Sequence, residues 1–376
     1  MAWNKSVSFS NIDWILVGSI LPLLFFGLVT MSSFVGENYL ATKQAVWVLI
    51  SFFVFFVFSF TDWSFFKKSY ILVLLFFLSS LTLSLLFAVP SIKGAKSWFD
   101  FGSISFQPAD FSKLVLILIL SKYFSRRHIE IAHIRHIIVS GFYAFIPFVL
   151  ILFQPALGGA VTVFLIWLGM ITVSGVSKRH LLIVFLLGVL SFAVLWGAVF
   201  KPYQKQRILT FINPSLDIRG SGYSAHQSKI AVGSGRVFGK GIGYGTQSRL
   251  KFLPEYQADF IFAALAEEWG LVGVFMFLIF FSIIIWRILY NSFVAASNFE
   301  ALFGVGLAVF FMSHFVINVG MNMGLLPVTG ITLPFMSYGG SHLLTEFAGM
   351  GILMSMRRHS RATHRDNMKN EFLGPV

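Results

Sequence analysis

Ten stretches of this chain stay apolar for about twenty residues at a time, the length a helix needs to cross the hydrocarbon core of a bilayer. They fall near 12–33, 44–60, 69–90, 108–124, 136–153, 157–175, 181–200, 256–289, 301–324 and 342–356. Backbone in lipid must satisfy its own polar groups, so blocks of this kind predict helices. Composition agrees: 57% of residues are hydrophobic and 11% charged, more apolar surface than a water-soluble domain of 376 residues needs. The chain therefore reads as an all-α polytopic membrane protein. Its single transmembrane domain covers residues 1–376, with about ten transmembrane helices and a long outer loop between spans 7 and 8. Residues 1–10 lack a charged segment followed by a small-residue cleavage site, so the first helix is expected to stay uncleaved.

Lys and Arg in the short loops set the orientation. Lys67, Lys68, Arg126, Arg127, Arg135, Lys178, Arg179 and the tail residues Arg357, Arg358, Arg361 and Arg365 share one side if the spans alternate. That side is the cytoplasm, which places both termini inside and the tail 357–376 with them. The short loops 34–43 and 154–156 carry few or no positive charges. A net charge of +13 spread over loops points to anionic lipid and away from nucleic acid.

The outer loop 201–255 departs from this pattern. It holds Lys201, Lys205, Arg207, Arg219, Lys229, Arg236, Lys240, Arg249 and Lys251 against Asp217 and Glu255. Long loops are exempt from the orientation rule, so the topology survives. A solvated basic loop is the plain explanation. A site for a phosphorylated ligand is the sharper one, because the interspersed glycines would let backbone N–H groups approach an anion closely. Gly239-Lys240-Gly241 lacks the spacing of a nucleotide-binding P-loop, and no strand–helix unit surrounds it. The stretch 225–234 has the spacing of a short interfacial helix.

Ionisable groups within the apolar blocks are few, and each is a functional candidate because burying charge in lipid is costly. Asp259 is expected one turn inside a helix that opens near Pro254, a residue suited to a first turn. The plain alternative is a carboxylate stabilising that helix N-terminus. Asp110 and Lys113 are three residues apart and share a helix face, so an ion pair is expected, structural or otherwise. Glu267 and Glu268 lie two turns deeper and read as structural or relay groups. Glu346 follows His342 by four residues and can pair with it. The segment 326–341 carries two prolines and three glycines among apolar residues, which suggests a broken or re-entrant element. Cysteine is absent, and no run of His, Asp and Glu shows metal-ligand spacing.

Five segments together resemble the SEDS family, the RodA and FtsW type of cell-wall polymerases. They are GAKSWFDFGSISFQPADFSK (94–113), QPALGGA (154–160), YQKQRILTFINPSLDIRGSGY (203–223), QSKIAVGSGRVFGKGIGYGTQSRLKFLPEYQADFIFAALAEEWG (227–270) and GLLPVTGITLPFMSYGGS (324–341). Pro327-Val328-Thr329-Gly330 and 264–268 are more similar to the RodA, elongation branch. The resemblance implies a peptidoglycan glycosyltransferase that polymerises lipid II at the outer face of the cytoplasmic membrane and releases the lipid pyrophosphate. It places Asp259 at the family's essential carboxylate and Asp110 with Lys113 at its ion pair. The chain departs from the pattern at Ala156, where Asp is usual, and at His342 and Glu346, which stand for a common Ser and Asn.

The chemistry needs a base for the acceptor hydroxyl and cations for the departing pyrophosphate. Asp259 is the expected base. Lys113, Arg207, Lys240 and Arg249 are the expected substrate-binding cations, with Glu255, Glu267, Ser337 and Ser341 in supporting roles. A divalent cation, Mg2+ or Mn2+, is the expected cofactor because hard cations bridge carboxylates and phosphates; no organic cofactor is called for. The resemblance also implies a class B penicillin-binding protein as transpeptidase partner, along with other cell-elongation machinery. A lipid II flippase is the alternative, since broken elements and intramembrane charge also suit a transport path.

Overall fold

The computed structural model describes residues 12–33, 38–89, 97–100, 102, 105–126, 134–213, 220–250 and 252–373. The expectations placed on residues 1–10, Arg127, Asp217, Arg219 and Lys251 lie outside them, as do the side chains of Lys178, Arg361 and Arg365. The helices are α1 (Trp14–Ser32), α2 (Asn38–Phe60), α3 (Ser69–Leu85), α4 (Pro108–Ser125), α5 (Ile134–Phe153), α6 (Leu157–Val173) and α7 (Lys178–Val194). There follow α8 (Pro202–Ile212), α9 (Ser221–Ser234), α10 (Thr246–Arg249), α11 (Ile261–Phe293), α12 (Asn298–Asn322) and α13 (Gly340–Leu373).

Each of the ten apolar blocks has become a helix. Seven of them (α1, α2, α3, α5, α7, α11 and α12) contain stretches long and apolar enough to cross a membrane. α6 is as apolar but 17 residues long. α4 and α13 carry charged residues, of which Asp110, Lys113 and Glu346 are buried within the bundle. α4 is its axis: residues 114–121 are buried without a break, because α3, α5, α6, α12 and α13 surround it. α7 is the opposite case and turns Leu182, Phe185, Leu186 and Val189 outward, a surface suited to lipid. α2 lies along α13, and α1 along α11. Small residues permit the closest crossings. A Cβ on Gly351 would sit 2.7 Å from the Phe55 carbonyl oxygen, and one on Gly306 2.6 Å from the Ile117 side chain.

The boundaries differ from expectation where tertiary contacts take over. α13 runs far beyond residue 356, its second half a polar continuation of the span. The loop after α3 contains a two-residue antiparallel pair, β1 (Phe99–Asp100) with β2 (Ser105–Phe106), which no apolar pattern announces. The expected short helix at 225–234 is α9, begun one turn earlier.

The bundle has two polar ends. At one, Asp13 before α1 accepts hydrogen bonds from Arg287 (2.6 Å) and Asn291 (2.9 Å) of α11, and its carboxylate lies 2.8 Å from Arg357 of α13. Nothing in the local pattern singled out Asp13 as this anchor. At the other end, Ser33 meets Glu268, Ser97 meets Gln154, Gly158 meets Thr329 and Ile331, and Gly324 meets Lys229.

Candidate active site

Asp259 lies in the turn that precedes α11, not inside the helix, which starts at Ile261. The expectation of a helix opening at Pro254 is corrected here, and the reason is visible in the hydrogen bonds. Glu255 adopts a positive φ of 48°, and its carbonyl oxygen accepts the N–H groups of Ala258, Asp259 and Phe260. The carbonyls that would continue a regular helix are taken by other elements. Gln257 O accepts from Tyr338 N–H at 2.8 Å, and Ala258 O from the Ser337 hydroxyl at 2.6 Å. Asp259 O accepts from both Asn318 Nδ2 (2.9 Å) and Asn322 Nδ2 (3.0 Å).

Those two asparagines escaped the sequence reading. They sit four residues apart on α12, hence on one face, and two buried amides in an apolar span were the available signal. Asn318 also donates to Ile331 O at 2.6 Å, so one amide ties the Asp259 turn to the segment between α12 and α13. That segment, 323–339, is the irregular element expected from its prolines and glycines. Its second half is covered by protein, with Ile331, Leu333, Phe335 and Met336 buried, while Met323, Leu325 and Gly330 are exposed. Gly330, at φ 71°, passes so close that a Cβ there would lie 3.3 Å from Asp259 Oδ2. Thr329 and Ile331 rest on Gly158, in the first turn of α6. Ala156 is the N-cap of that helix and leaves it without a side-chain cap.

Beneath the segment is a cluster of ionisable groups from α4, α12 and α13. Lys113 Nζ lies 2.8 Å from Asp110 Oδ1 and 3.1 Å from His314 Nε2. His342 reaches Asp110 Oδ2 through Nδ1 (3.2 Å) and Glu346 Oε1 through Nε2 (3.0 Å). The two imidazoles stack, with centroids 4.7 Å apart. The geometry of the Asp110–Lys113 and His342–Glu346 pairs is as the spacing suggests; the convergence of both pairs on His314 is new. The cluster holds the segment from below. His314 Nδ1 lies 3.1 Å from Thr332 O, and Glu346 Oε2 accepts from Phe335 N–H at 3.1 Å. Phe335 has a φ of 60°, a left-handed conformation that costs a bulky residue energy and so needs such an anchor. Ser341, cited as a supporting residue, accepts from Gln107 N–H at 3.2 Å and joins α13 to the start of α4.

The long loop is fastened to α11 in a way that reassigns two further residues. Glu267 is fully buried and accepts from Lys240 Nζ (2.8 Å), the Ser248 hydroxyl (3.0 Å) and the backbone N–H groups of Gln247 and Ser248. Lys240 is thus spent on Glu267 and Thr246, and Lys113 on Asp110 and His314. Just beyond, α11 breaks at Gly270 (φ 65°), where 236–241 fills the gap. Leu271 and Val272 donate to Arg236 O and Val237 O, and Lys240 and Gly241 to Glu267 O and Glu268 O. Glu268 accepts from Ser33 at the end of α1 (2.7 Å).

Two of the predicted cations remain at the surface. Arg249 is exposed at the end of α10. Arg207 of α8 is half-buried and lines a groove with Thr210, Phe211, Lys229 and 326–328. The groove wall at Val328 lies two residues along the chain from Gly330, the glycine that faces the Asp259 carboxylate. A groove with two cations and apolar walls, next to a partly exposed carboxylate held by its backbone, suits a ligand with an anionic head and an apolar tail.

A polytopic helical protein with a carboxylate and cations gathered at one end of the bundle is, as a class, a membrane-embedded protein with a polar site at the end of its bundle. Residues 11–362 match the family of cell cycle proteins named for FtsW, RodA and SpoVE, and the chain belongs to that family. It is 38% identical over 269 residues to the peptidoglycan glycosyltransferase MrdB of Escherichia coli K12, covering 72% of each chain. It is 36% identical over 364 residues to the stage V sporulation protein E of Bacillus subtilis, covering 93% of this chain and 98% of that one. Among solved structures, a chain described in the structural coordination of polymerization and crosslinking by a peptidoglycan synthase complex superposes with a TM-score of 0.79 at 29% identity, covering 93% of this chain and 98% of that one. The rod shape determining protein RodA of Thermus thermophilus superposes with a TM-score of 0.71 at 27% identity, covering 95% and 99%.

Proposed function

We propose that this chain is a peptidoglycan glycosyltransferase of the elongation type, which polymerises lipid II at the outer face of the cytoplasmic membrane with Asp259 as general base. The observation that carries the proposal is the setting of Asp259. Asn318 and Asn322 of α12 grip its carbonyl and Ser337 that of Ala258, while its side chain stays partly exposed beside Gly330. A base held in this way can take the proton of an acceptor sugar hydroxyl as that oxygen attacks the donor's anomeric carbon. The anomeric C–O bond then breaks and its electrons leave with the lipid pyrophosphate. Arg207 and Lys229 in the adjacent groove, with Arg249 nearby in sequence, stabilise the negative charge on that leaving group. Lys113 and Lys240 act from within the protein, holding the floor and the loop.

Asp259 and, four residues earlier, the exposed Glu255 supply the oxygen donors that a hard cation prefers. A Mg2+ or Mn2+ ion there would neutralise pyrophosphate charge. With the lysines and arginines of the short loops facing the cytoplasm, both termini lie inside and Asp259 outside. The likeness to a chain of a peptidoglycan synthase complex supports a class B penicillin-binding protein as the cross-linking partner, within a larger elongation assembly. The flippase alternative is disfavoured by α4, whose buried run of apolar side chains from Leu114 to Leu120 fills the bundle below the charged cluster.

The test is direct. Purified protein in detergent, given lipid II and no membrane, should yield glycan polymer; a flippase has nothing to flip there. Absence of polymer from folded protein supplied with its partner and a divalent cation would sink the proposal.

A further inference from the structure

Two histidines in the buried cluster are arranged as metal ligands usually are. A ligating imidazole typically offers one ring nitrogen to the metal while the other faces a carboxylate or a backbone carbonyl. His342 has Glu346 Oε1 3.0 Å from Nε2, and its Nδ1 points toward Asp110. His314 has the carbonyl of Thr332 3.1 Å from Nδ1, and its Nε2 points the same way. One donor atom each from Asp110, His314 and His342 fall within 4.8 Å of one another. Asp110 Oδ2 and His342 Nδ1 are 3.2 Å apart, close to the edge of about 3.3 Å in a tetrahedron of ligands around zinc.

A second observation points to a ligand. All three residues are at most 3% exposed. Yet Asp110 Oδ2, both ring nitrogens of His342 and Glu346 Oε1 have no aligned hydrogen-bond partner among the described residues, only the ion-pair contacts of 3.0 and 3.2 Å with one another. Buried polar atoms are seldom left in that condition. The cation now against His314 Nε2 is the Lys113 ammonium.

We propose that Asp110, His314 and His342 form a binding site for a divalent transition-metal ion of the zinc type, with Glu346 and the Thr332 carbonyl orienting the two imidazoles. The ion takes the place of the Lys113 ammonium against His314. A nitrogen-rich donor set selects zinc or cobalt over magnesium, so this site is chemically distinct from any hard-cation site at Asp259. It is read out by binding and not by polymerisation, so it stands or falls apart from the proposed reaction.

The experiment uses the full chain without a polyhistidine tag, purified in detergent, stripped with chelator and titrated with Co2+. One equivalent should bind, with the visible absorption of a four-coordinate centre. Zn2+ should displace it and a large excess of Mg2+ should not. Glu346→Gln should weaken binding about 10- to 100-fold without abolishing it, because it removes only an orienting partner. His342→Ser and His314→Gln should each abolish the band. The wild-type titration needs no variant: a cooperatively melting protein that gives no one-equivalent Co2+ band overturns the proposal. So does a band that persists in both histidine variants, since Co2+ would then be held elsewhere.

Discussion

Asn322 occupies the backbone gap between Asp259 and Ala263. Its Nδ2 donates to Asp259 O at 3.0 Å, and its Oδ1 accepts from Ala263 N–H at 3.1 Å. In a continuous helix these two backbone groups would bond to each other. The amide replaces that bond with a bridge, so α11 starts late and the Asp259 side chain leaves the helix surface. Replacing Asn322 with Ala strands the buried Ala263 N–H and leaves Asp259 O with Asn318 alone, at a cost of about 1–3 kcal/mol. Thermal unfolding should show that loss, and polymerisation should slow as the turn relaxes toward helix. A variant with wild-type rate and melting would mean the bridge holds nothing.

Asp259→Asn separates the carboxylate from its scaffold. The backbone carbonyl that Asn318 and Asn322 grip is unchanged, and the side chain keeps its size. The variant should insert and melt like the wild type while losing polymerisation by at least about 100-fold, the scale of general base catalysis. Near-normal polymer yield from lipid II would remove Asp259 from the mechanism.

Gly330→Ala should act on the same carboxylate from the other side. The residue sits at φ 71°, which costs an L-residue about 1–2 kcal/mol, and the new Cβ would lie 3.3 Å from Asp259 Oδ2. Stability should fall by that amount and the turnover rate should fall further than stability explains. Equal turnover in folded Gly330→Ala would show that the carboxylate tolerates crowding.

Arg207 and Lys240 should separate in assay although both belong to the same basic loop. Arg207→Ala is expected to raise the lipid II concentration needed for half-maximal rate, and Arg207→Lys to restore it only in part, because an ammonium lacks the bidentate fork. High salt should weaken binding at this open groove. Lys240→Ala leaves the buried Glu267 without its cation, so it should lower melting temperature first. Substrate titrations beside melting curves decide the matter, and identical behaviour of the two variants would contradict the assignment.

Asp110 and Lys113 are both buried and 2.8 Å apart. Removing either alone leaves an uncompensated charge, at about 3–5 kcal/mol, while removing both should cost much less than the sum. A double-mutant cycle on thermal stability measures the coupling; strict additivity would contradict the pairing.

Residues close together in the sequence made part of this protein legible without coordinates. The ten helices, seven of them long and apolar enough to cross a membrane, follow from the length of apolar runs, since lipid leaves a backbone little choice but helix. Asp110 with Lys113, and His342 with Glu346, could be paired on paper because three or four residues bring side chains to one helix face. The five quoted segments mark the family, which the comparison along 11–362 bears out.

What only the tertiary structure decided is the set of contacts between helices distant in the chain. Asn322 enters the backbone of α11 from α12, Glu267 claims Lys240 across the long loop, and His314 joins groups on α4 and α13. Apolar periodicity specifies that a helix forms and which groups share its face. It does not specify the rotation and depth at which two helices pack, and side-chain amides, carboxylates and imidazoles find partners only once that packing is set. Asp259 shows the difference most plainly: its own segment reads as helix, and hydrogen bonds from α12 and the 323–339 segment hold it out of one.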